Sequence, residues 1–219
     1  GLGDVYKRQT SGWRDIIGDG FTLERVLVLA RAVARDLKRR RLARRGVVVG
    51  HDYRFRAEDF ARAAAAAIAA EGVPVRLASA AAPTPALALA IRRLRLAGGI
   101  NFTASHNPAV YQGFKWSNAY GSPATYEELG PIERAANRSG SALRRAPAGV
   151  RAAAIRPLDP KPDYLAALAR RVPLALIRRA RLRVVADPLF GAGRGYLAEA
   201  LRLAGCRVSV LHDHRDVLF

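Results

Sequence analysis

The feature that most narrows the fold is a repeated alternation of short apolar runs with segments of helical spacing. Val47-Val48-Val49 follows Gly46 as an unbroken β-branched run, the pattern of a parallel strand buried on both faces. An alanine-rich helix is predicted next, over 57–71, stopped by Gly72. Val73-Pro74-Val75-Arg76-Leu77 reads as a second strand with its proline near the beginning. Pro83-Thr84-Pro85 is a rigid turn that opens a helix over 86–96, and Gly99-Ile100-Asn101-Phe102 is a further buried strand. Upstream, Leu23, Val26, Leu27, Leu29, Ala30, Val33, Ala34 and Leu37 recur mostly at three-and-four spacing behind Thr22, a helix N-cap. Strands and helices in this order predict an α/β fold, a three-layer α/β/α sandwich with a largely parallel mixed sheet.

The alternation resumes later with a strand over 182–186, a glycine-rich turn, a helix over 196–204 and a strand over 207–211. It predicts the beginning of a second, similar α/β domain, truncated at Phe219. The expected division has a foreign leader over 1–9, a first domain over 10–138, a linker with an interdomain helix over 139–178, and the second domain over 179–219. The leader is suggested by Asp4 to Gln9, which joins poorly to the sequence after it, and by the absence of methionine even at position 1. The first domain is expected to close in helical sequence over 124–137, interrupted at Gly130-Pro131. Pro157, Pro160 and Pro162 lead to Asp163, the expected cap of a helix over 164–171.

The formal charge of +19 raises a nucleic-acid reading, since basic surfaces release counterions on binding phosphates. Lysine occurs only at Lys7, Lys38, Lys115 and Lys161, and the chain is also rich in alanine. Arginine and alanine share GC-rich codons, so codon bias accounts for the excess. The arginines spread along the whole chain; no nucleic-acid partner is expected, whereas a general attraction for small phosphorylated anions is. No apolar run approaches the ~20 residues a membrane helix needs, so no membrane partner is expected. The single Cys206 excludes a disulfide within the chain and a multi-cysteine metal site, and fits a cytoplasmic location.

Chemistry concentrates after the Gly99 strand, in Thr103-Ala104-Ser105-His106-Asn107-Pro108. Ligands of α/β proteins bind outside the carboxyl ends of the strands. Asn-Pro forces a turn there, which presents the Ser105 hydroxyl to a cleft. Tyr111-Gln112-Gly113-Phe114-Lys115 allows the loop to fold back and bring an ammonium near the serine. A hydrolytic triad is a weak reading, because adjacency does not put His106 in reach of Ser105 and no orienting acid is identifiable.

These residues, with Thr10-Ser11-Gly12-Trp13-Arg14, Gly50-His51-Asp52-Tyr53-Arg54-Phe55, Pro83-Thr84-Pro85, Gly98-Gly99, Val185-Ala186-Asp187-Pro188 and Gly191-Ala192-Gly193-Arg194-Gly195, keep one order along the chain. In that order the chain resembles the α-D-phosphohexomutases, the phosphoglucomutase/phosphomannomutase family, from Thr10 almost to Phe219. Gln112 departs from the pattern, which usually has asparagine before the glycine. The resemblance implies an intramolecular phosphotransferase that interconverts hexose 1-phosphate and hexose 6-phosphate through a phosphoserine and a hexose 1,6-bisphosphate intermediate. It makes Ser105 the phosphoryl carrier and Arg14 a fixed cation for phosphate. Lys115 becomes a second cation or, with its pKa lowered by neighbouring positive charge, a proton-transfer group; His106 becomes a proton shuttle. Arg54 is either a substrate contact or a brace for the loop, ion-paired with Asp52.

The resemblance also implies one Mg²⁺, bound by the phosphate on Ser105 and by an Asp-x-Asp-x-Asp-Arg loop that this chain does not contain. The remaining mutase domains are expected outside the chain, and the fragment alone is expected to be inactive. The expected partner is a phosphorylated hexose. Trp13 leans toward phosphoglucomutase or phosphomannomutase rather than the glucosamine-phosphate branch, with the hexose left open.

Two readings from other classes stand beside this one. Gly191-x-Gly193-x-Gly195 between a strand and a helix, with Asp213 after the next strand, suggests a nucleotide-binding Rossmann-like oxidoreductase domain. Against it, Asp187 to Phe190 separate the strand from the first glycine, and the third glycine comes one residue early. The other is a basic nucleic-acid-binding module. His212-Asp213-His214 is expected to be a solvated loop, with no metal assigned.

Overall fold

In the computed structural model, the described residues are 12–138, 143, 145, 149 and 151–219. The leader over 1–9, together with Thr10 and Ser11, lies outside them. Strand β2 (Val47–His51) is buried throughout and sits inside a six-stranded sheet with β1 (Trp13–Ile16), β3 (Val75–Ala78), β4 (Gly98–Phe102), β5 (Tyr111–Ser117) and β6 (Ile155–Leu158). The order is β1-β5-β4-β2-β3-β6. β4, β2, β3 and β6 run parallel, while β5 and β1 are antiparallel to their neighbours. This is the mixed, mostly parallel sheet expected from the sequence.

Successive valines of β2 point to opposite layers, and both layers are filled. Val47 and Val49 join Ile100 and Phe102 against α1 (Leu23–Arg39) and α2 (Ala57–Ala70), through Val33, Leu37, Phe60 and Ile68. Val48 packs with Leu87 and Ile91 of α3 (Thr84–Arg93) on the other side. A relay of rings runs Trp13–Phe21–Phe60–Phe102–Phe114, with centroids 4.4, 5.0, 6.2 and 5.4 Å apart. Such contacts add to what burial alone contributes. Phe102 and Phe114 immediately precede Thr103 and Lys115, so the core fixes the backbone from which those two side chains project.

After the serine loop the chain folds back along β4 as the seven-residue strand β5, hydrogen-bonded on both sides. Three expectations change. Helix α4 (Tyr126–Arg138) runs through Gly130-Pro131 without interruption. The proline forfeits one early backbone bond, and burial of Ile132 and Ala136 against the α1 side of the core offsets that loss. Residues 155–158, placed by the sequence pattern in the linker, instead form β6 beside β3, where Pro157 is tolerated at the sheet edge. Asp163 is not a cap: helix α5 (Lys161–Arg171) begins after Pro160, and Asp159 Oδ1 accepts the Lys161 N–H at 3.0 Å.

After α6 (Leu174–Ala180), a β-α-β unit is made by β7 (Arg183–Ala186), α7 (Leu197–Leu203) and β8 (Arg207–Val210), the strands parallel in a separate sheet. It is tied to the first sheet's α3 layer through α5. Arg93 pairs with Asp163 at 2.9 Å, Lys161 with Glu199 at 3.0 Å, and the rings of Tyr164 and Tyr196 meet at 5.9 Å. Among the described residues, no helix is long and apolar enough to cross a membrane.

Candidate active site

The adjacent parallel strands β2 and β4 end side by side, joined where the Asp52 N–H donates to the Phe102 carbonyl at 3.0 Å. The loops that leave them therefore share one edge. In the β4 loop, the Ser105 N–H donates to Thr103 Oγ1 at 3.1 Å and the Asn107 N–H to the Ala104 carbonyl at 3.2 Å. Ser105 itself is held at φ +60°, a left-handed conformation that costs a non-glycine residue of order 1–3 kcal/mol and persists only where surroundings impose it. Its side chain is exposed, with Oγ 3.4 Å from His106 Nδ1.

What imposes this loop is Arg54, only 1% exposed. One guanidinium nitrogen donates to the carbonyls of Pro108 at 2.9 Å and Tyr111 at 3.0 Å; the other donates to Ser105 at 2.9 Å and Asn107 at 2.7 Å. Nε lies 3.3 Å from Asp52 Oδ2, while Asp52 Oδ1 accepts the Arg54 N–H at 3.0 Å. A planar fork of donors suits this gathering of four carbonyls; a lysine ammonium does not. Arg54 thus braces the loop, its two terminal nitrogens donating to four loop carbonyls, while it also lines the cavity that opens over Ser105. Burial pushes the Asp52 carboxyl upward, countered by a hydrogen bond from Thr103 and by Arg54; burial likewise lowers the Arg54 guanidinium.

Arg14 on β1 lies opposite Gly113 on β5. A Cβ at Gly113 would stand 2.4 Å from the Thr103 carbonyl and 3.1 Å from Arg14 Cγ, so only glycine leaves room for both. Arg14 Nη1 donates to Asn107 Oδ1 at 3.2 Å, which directs the guanidinium to the serine loop. Lys115, half-buried, lies opposite Asn101. Its ammonium is held below the ordinary lysine range, first by burial and then by Arg14 and Arg54, with Asp52 opposing. The sequence pattern pointed to the neighbouring charges as the cause; burial leads. Thr103 and Asn107 carried no assigned role in the sequence, although an asparagine before proline beside a cationic strand was the available signal.

Protonated Lys115 is disfavoured in the fold, so stability rises with pH from its folded pKa toward the ordinary lysine value. Lys115→Met should raise the melting temperature at neutral pH, the gap closing as pH approaches the ordinary lysine range. A variant that melts lower at neutral pH would contradict this placement.

A cavity of about 480 Å³ opens over the loop, lined by Ser105, His106, Asn107 and Tyr53 on one side and Leu189, Gly191 and Ala192 on the other. Arg14 and Lys115 are not among its lining residues. The glycine-rich turn is its far wall, with Arg194 stacked 4.4 Å over the Tyr53 ring. Several of its N–H groups are spent internally: Gly191 to Pro188, Arg194 to Gly191, and Tyr196 and Leu197 to Gly193. That leaves fewer amides for a pyrophosphate, and Asp213 faces Arg194 at 3.7 Å. The dinucleotide reading is not favoured. His212 pairs with Asp187 at 2.8 Å.

Residues 6–142 match the family described as phosphoglucomutase/phosphomannomutase, alpha/beta/alpha domain I. The phosphoglucomutase/phosphomannomutase of Thermococcus kodakarensis is 32% identical over 216 residues, covering 94% of this chain and 44% of that protein. The phosphoribomutase of Saccharomyces cerevisiae is 34% identical over 112 residues, 48% of this chain and 18% of that protein. A crystal structure of a candidate phosphomannomutase from Thermus thermophilus superimposes with a TM-score of 0.84 at 35% identity, covering 97% of this chain and 47% of the other. The chain spans less than half the length of each of these relatives.

Proposed function

The chain belongs to the phosphoglucomutase/phosphomannomutase family, and from that premise we propose that it supplies the phosphoryl-carrying part of a phosphohexomutase, with Ser105 as the carrier. The observation that carries the reading is the loop itself: a serine turned outward at φ +60°, in a loop whose carbonyls a buried arginine gathers, at the carboxyl ends of parallel strands.

In the proposed reaction the P–O bond at Ser105 Oγ breaks as a free hydroxyl of a hexose monophosphate forms a new P–O bond. The hydroxyl proton passes to a base, for which His106 is placed beside Oγ. The bisphosphate turns over in the site, and its other phosphoryl group returns to Ser105 Oγ as the proton is given back. Phosphoryl transfer relies on positioning and on cations around the transferring group. Arg14, directed by Asn107, and Lys115 supply that charge, while Arg54 acts through the loop as a positioning residue. Half-burial suits Lys115 to yield a proton as well as to hold charge. The reading includes a cytoplasmic site of action, consistent with the lone Cys206.

The Mg²⁺ implied by the resemblance is not accommodated by these residues alone. Mg²⁺ takes near-octahedral oxygen coordination, yet no group of three or more potential metal ligands occurs among the described residues, and Asp52 is occupied by Arg54. Only a phosphate oxygen on Ser105 would come from this chain.

The test is protein expressed from the complete gene and supplied with glucose, mannose or ribose 1-phosphate labelled in the phosphate. Label should appear both in the isomeric sugar phosphate and in the peptide containing Ser105, and the panel would name the sugar. Release as inorganic phosphate alone, with no isomer formed, would overturn the proposal.

A further inference from the structure

Some basic clusters among the described residues are answered by acids. On α1, Arg39 and Arg40 face Asp36, while Arg35 and Lys38 face Glu71; on α2, Arg62 faces Glu58. At the amino ends of β2, β3 and β6 they are not. A cavity of about 350 Å³ opens there, lined by Arg44, Arg45, Arg76 and Arg156 and by no acidic residue. Arg76 and Arg156 are register partners on the parallel strands β3 and β6, so their side chains leave the same face side by side. Neither has a carboxylate partner among the described residues. Like charges placed directly across a sheet repel. Arg45 is fixed in advance, its Nε donating to the Arg95 carbonyl at 2.8 Å and Nη2 to the Leu96 carbonyl at 3.0 Å.

We propose that this cavity binds a small polyphosphate anion, one carrying two or more linked phosphates, at a site separate from the serine loop. Guanidinium groups match phosphate oxygens in pairs, and the cavity is of the size small-molecule sites have. One phosphate monoester answers at most about two positive charges; four guanidiniums call for more. The arginines converge on a concavity between strand ends instead of forming a stripe, which favours a compact anion over a nucleic-acid backbone. The site lies at the end of the sheet opposite Ser105, since Ser105 follows the carboxyl end of β4. Five-residue strands separate the two by roughly 16 Å. Occupancy would cancel the Arg76–Arg156 repulsion and tighten β6 on β3, just ahead of α5.

The test uses protein from the complete gene and titrates inorganic tripolyphosphate by calorimetry at physiological salt. Arg76→Gln/Arg156→Gln is expected to weaken binding at least tenfold, to leave sugar-phosphate turnover unchanged, and to melt no lower than the parent without ligand. Arg44→Gln, on an exposed turn, should weaken binding about threefold by itself. Tripolyphosphate bound equally by parent and both variants would overturn the proposal. So would orthophosphate binding as tightly as tripolyphosphate, or a DNA duplex binding through these arginines where tripolyphosphate does not.

Discussion

Ser105→Ala should lower kcat/KM of the full-length enzyme by about 10,000-fold or more, the scale seen when a covalent nucleophile is removed. Only the Oγ atom can accept and return the phosphoryl group in the proposed cycle, and the His106 ring stands beside it rather than in its place. The cations that hold the sugar phosphate remain, so binding of hexose phosphate should change far less than turnover. Alanine at φ +60° keeps the backbone strain, whereas Ser105→Gly relieves it. Glycine should therefore lose activity to the same extent while being at least as stable as the parent. Equal loss in both variants assigns the effect to the hydroxyl. A loss below tenfold in either one would remove Ser105 from the chemistry.

Arg54→Ala should destabilise the protein by about 3–5 kcal/mol, as expected when one partner of a buried ion pair is removed. The change leaves Asp52 without its guanidinium and four loop carbonyls without a donor. Arg54→Lys should recover only part of this, because one ammonium cannot span those acceptors. Urea unfolding monitors it directly: the midpoint falls while the slope stays the same. Arg14→Ala is the contrasting variant, expected to lose activity with little change in the midpoint, because Arg14 is half-buried at the outer strand. If Arg54→Ala cost less than about 1 kcal/mol, the modest net worth of an ordinary hydrogen bond, the brace would not be what shapes the loop.

The sheet was legible because β2 and β4 are buried on both faces and so carry no polar alternation. The serine loop was legible through its residue types and the turn that Asn107-Pro108 demands. Arg54 was not resolved between contact and brace, since its partners are carbonyls, which leave no trace in side-chain identity. β6 was hidden because two of its four residues, Arg156 and Pro157, argue against a strand, and only pairing with β3 makes the edge acceptable. Pro131 misled for a related reason: packing on one helix face outweighed one lost bond. The excess of arginine was attributed to codon bias, which composition alone favours; the convergence of Arg76 and Arg156 depends on strand register.

The most direct measurement is the phosphorylation state of Ser105 during turnover, tracked by peptide mass analysis of protein from the complete gene. The expected result is one phosphate on the Ser105 peptide in the resting enzyme, discharged on adding hexose monophosphate and restored by hexose 1,6-bisphosphate. Full mutase activity with Ser105 unmodified throughout the cycle would contradict it.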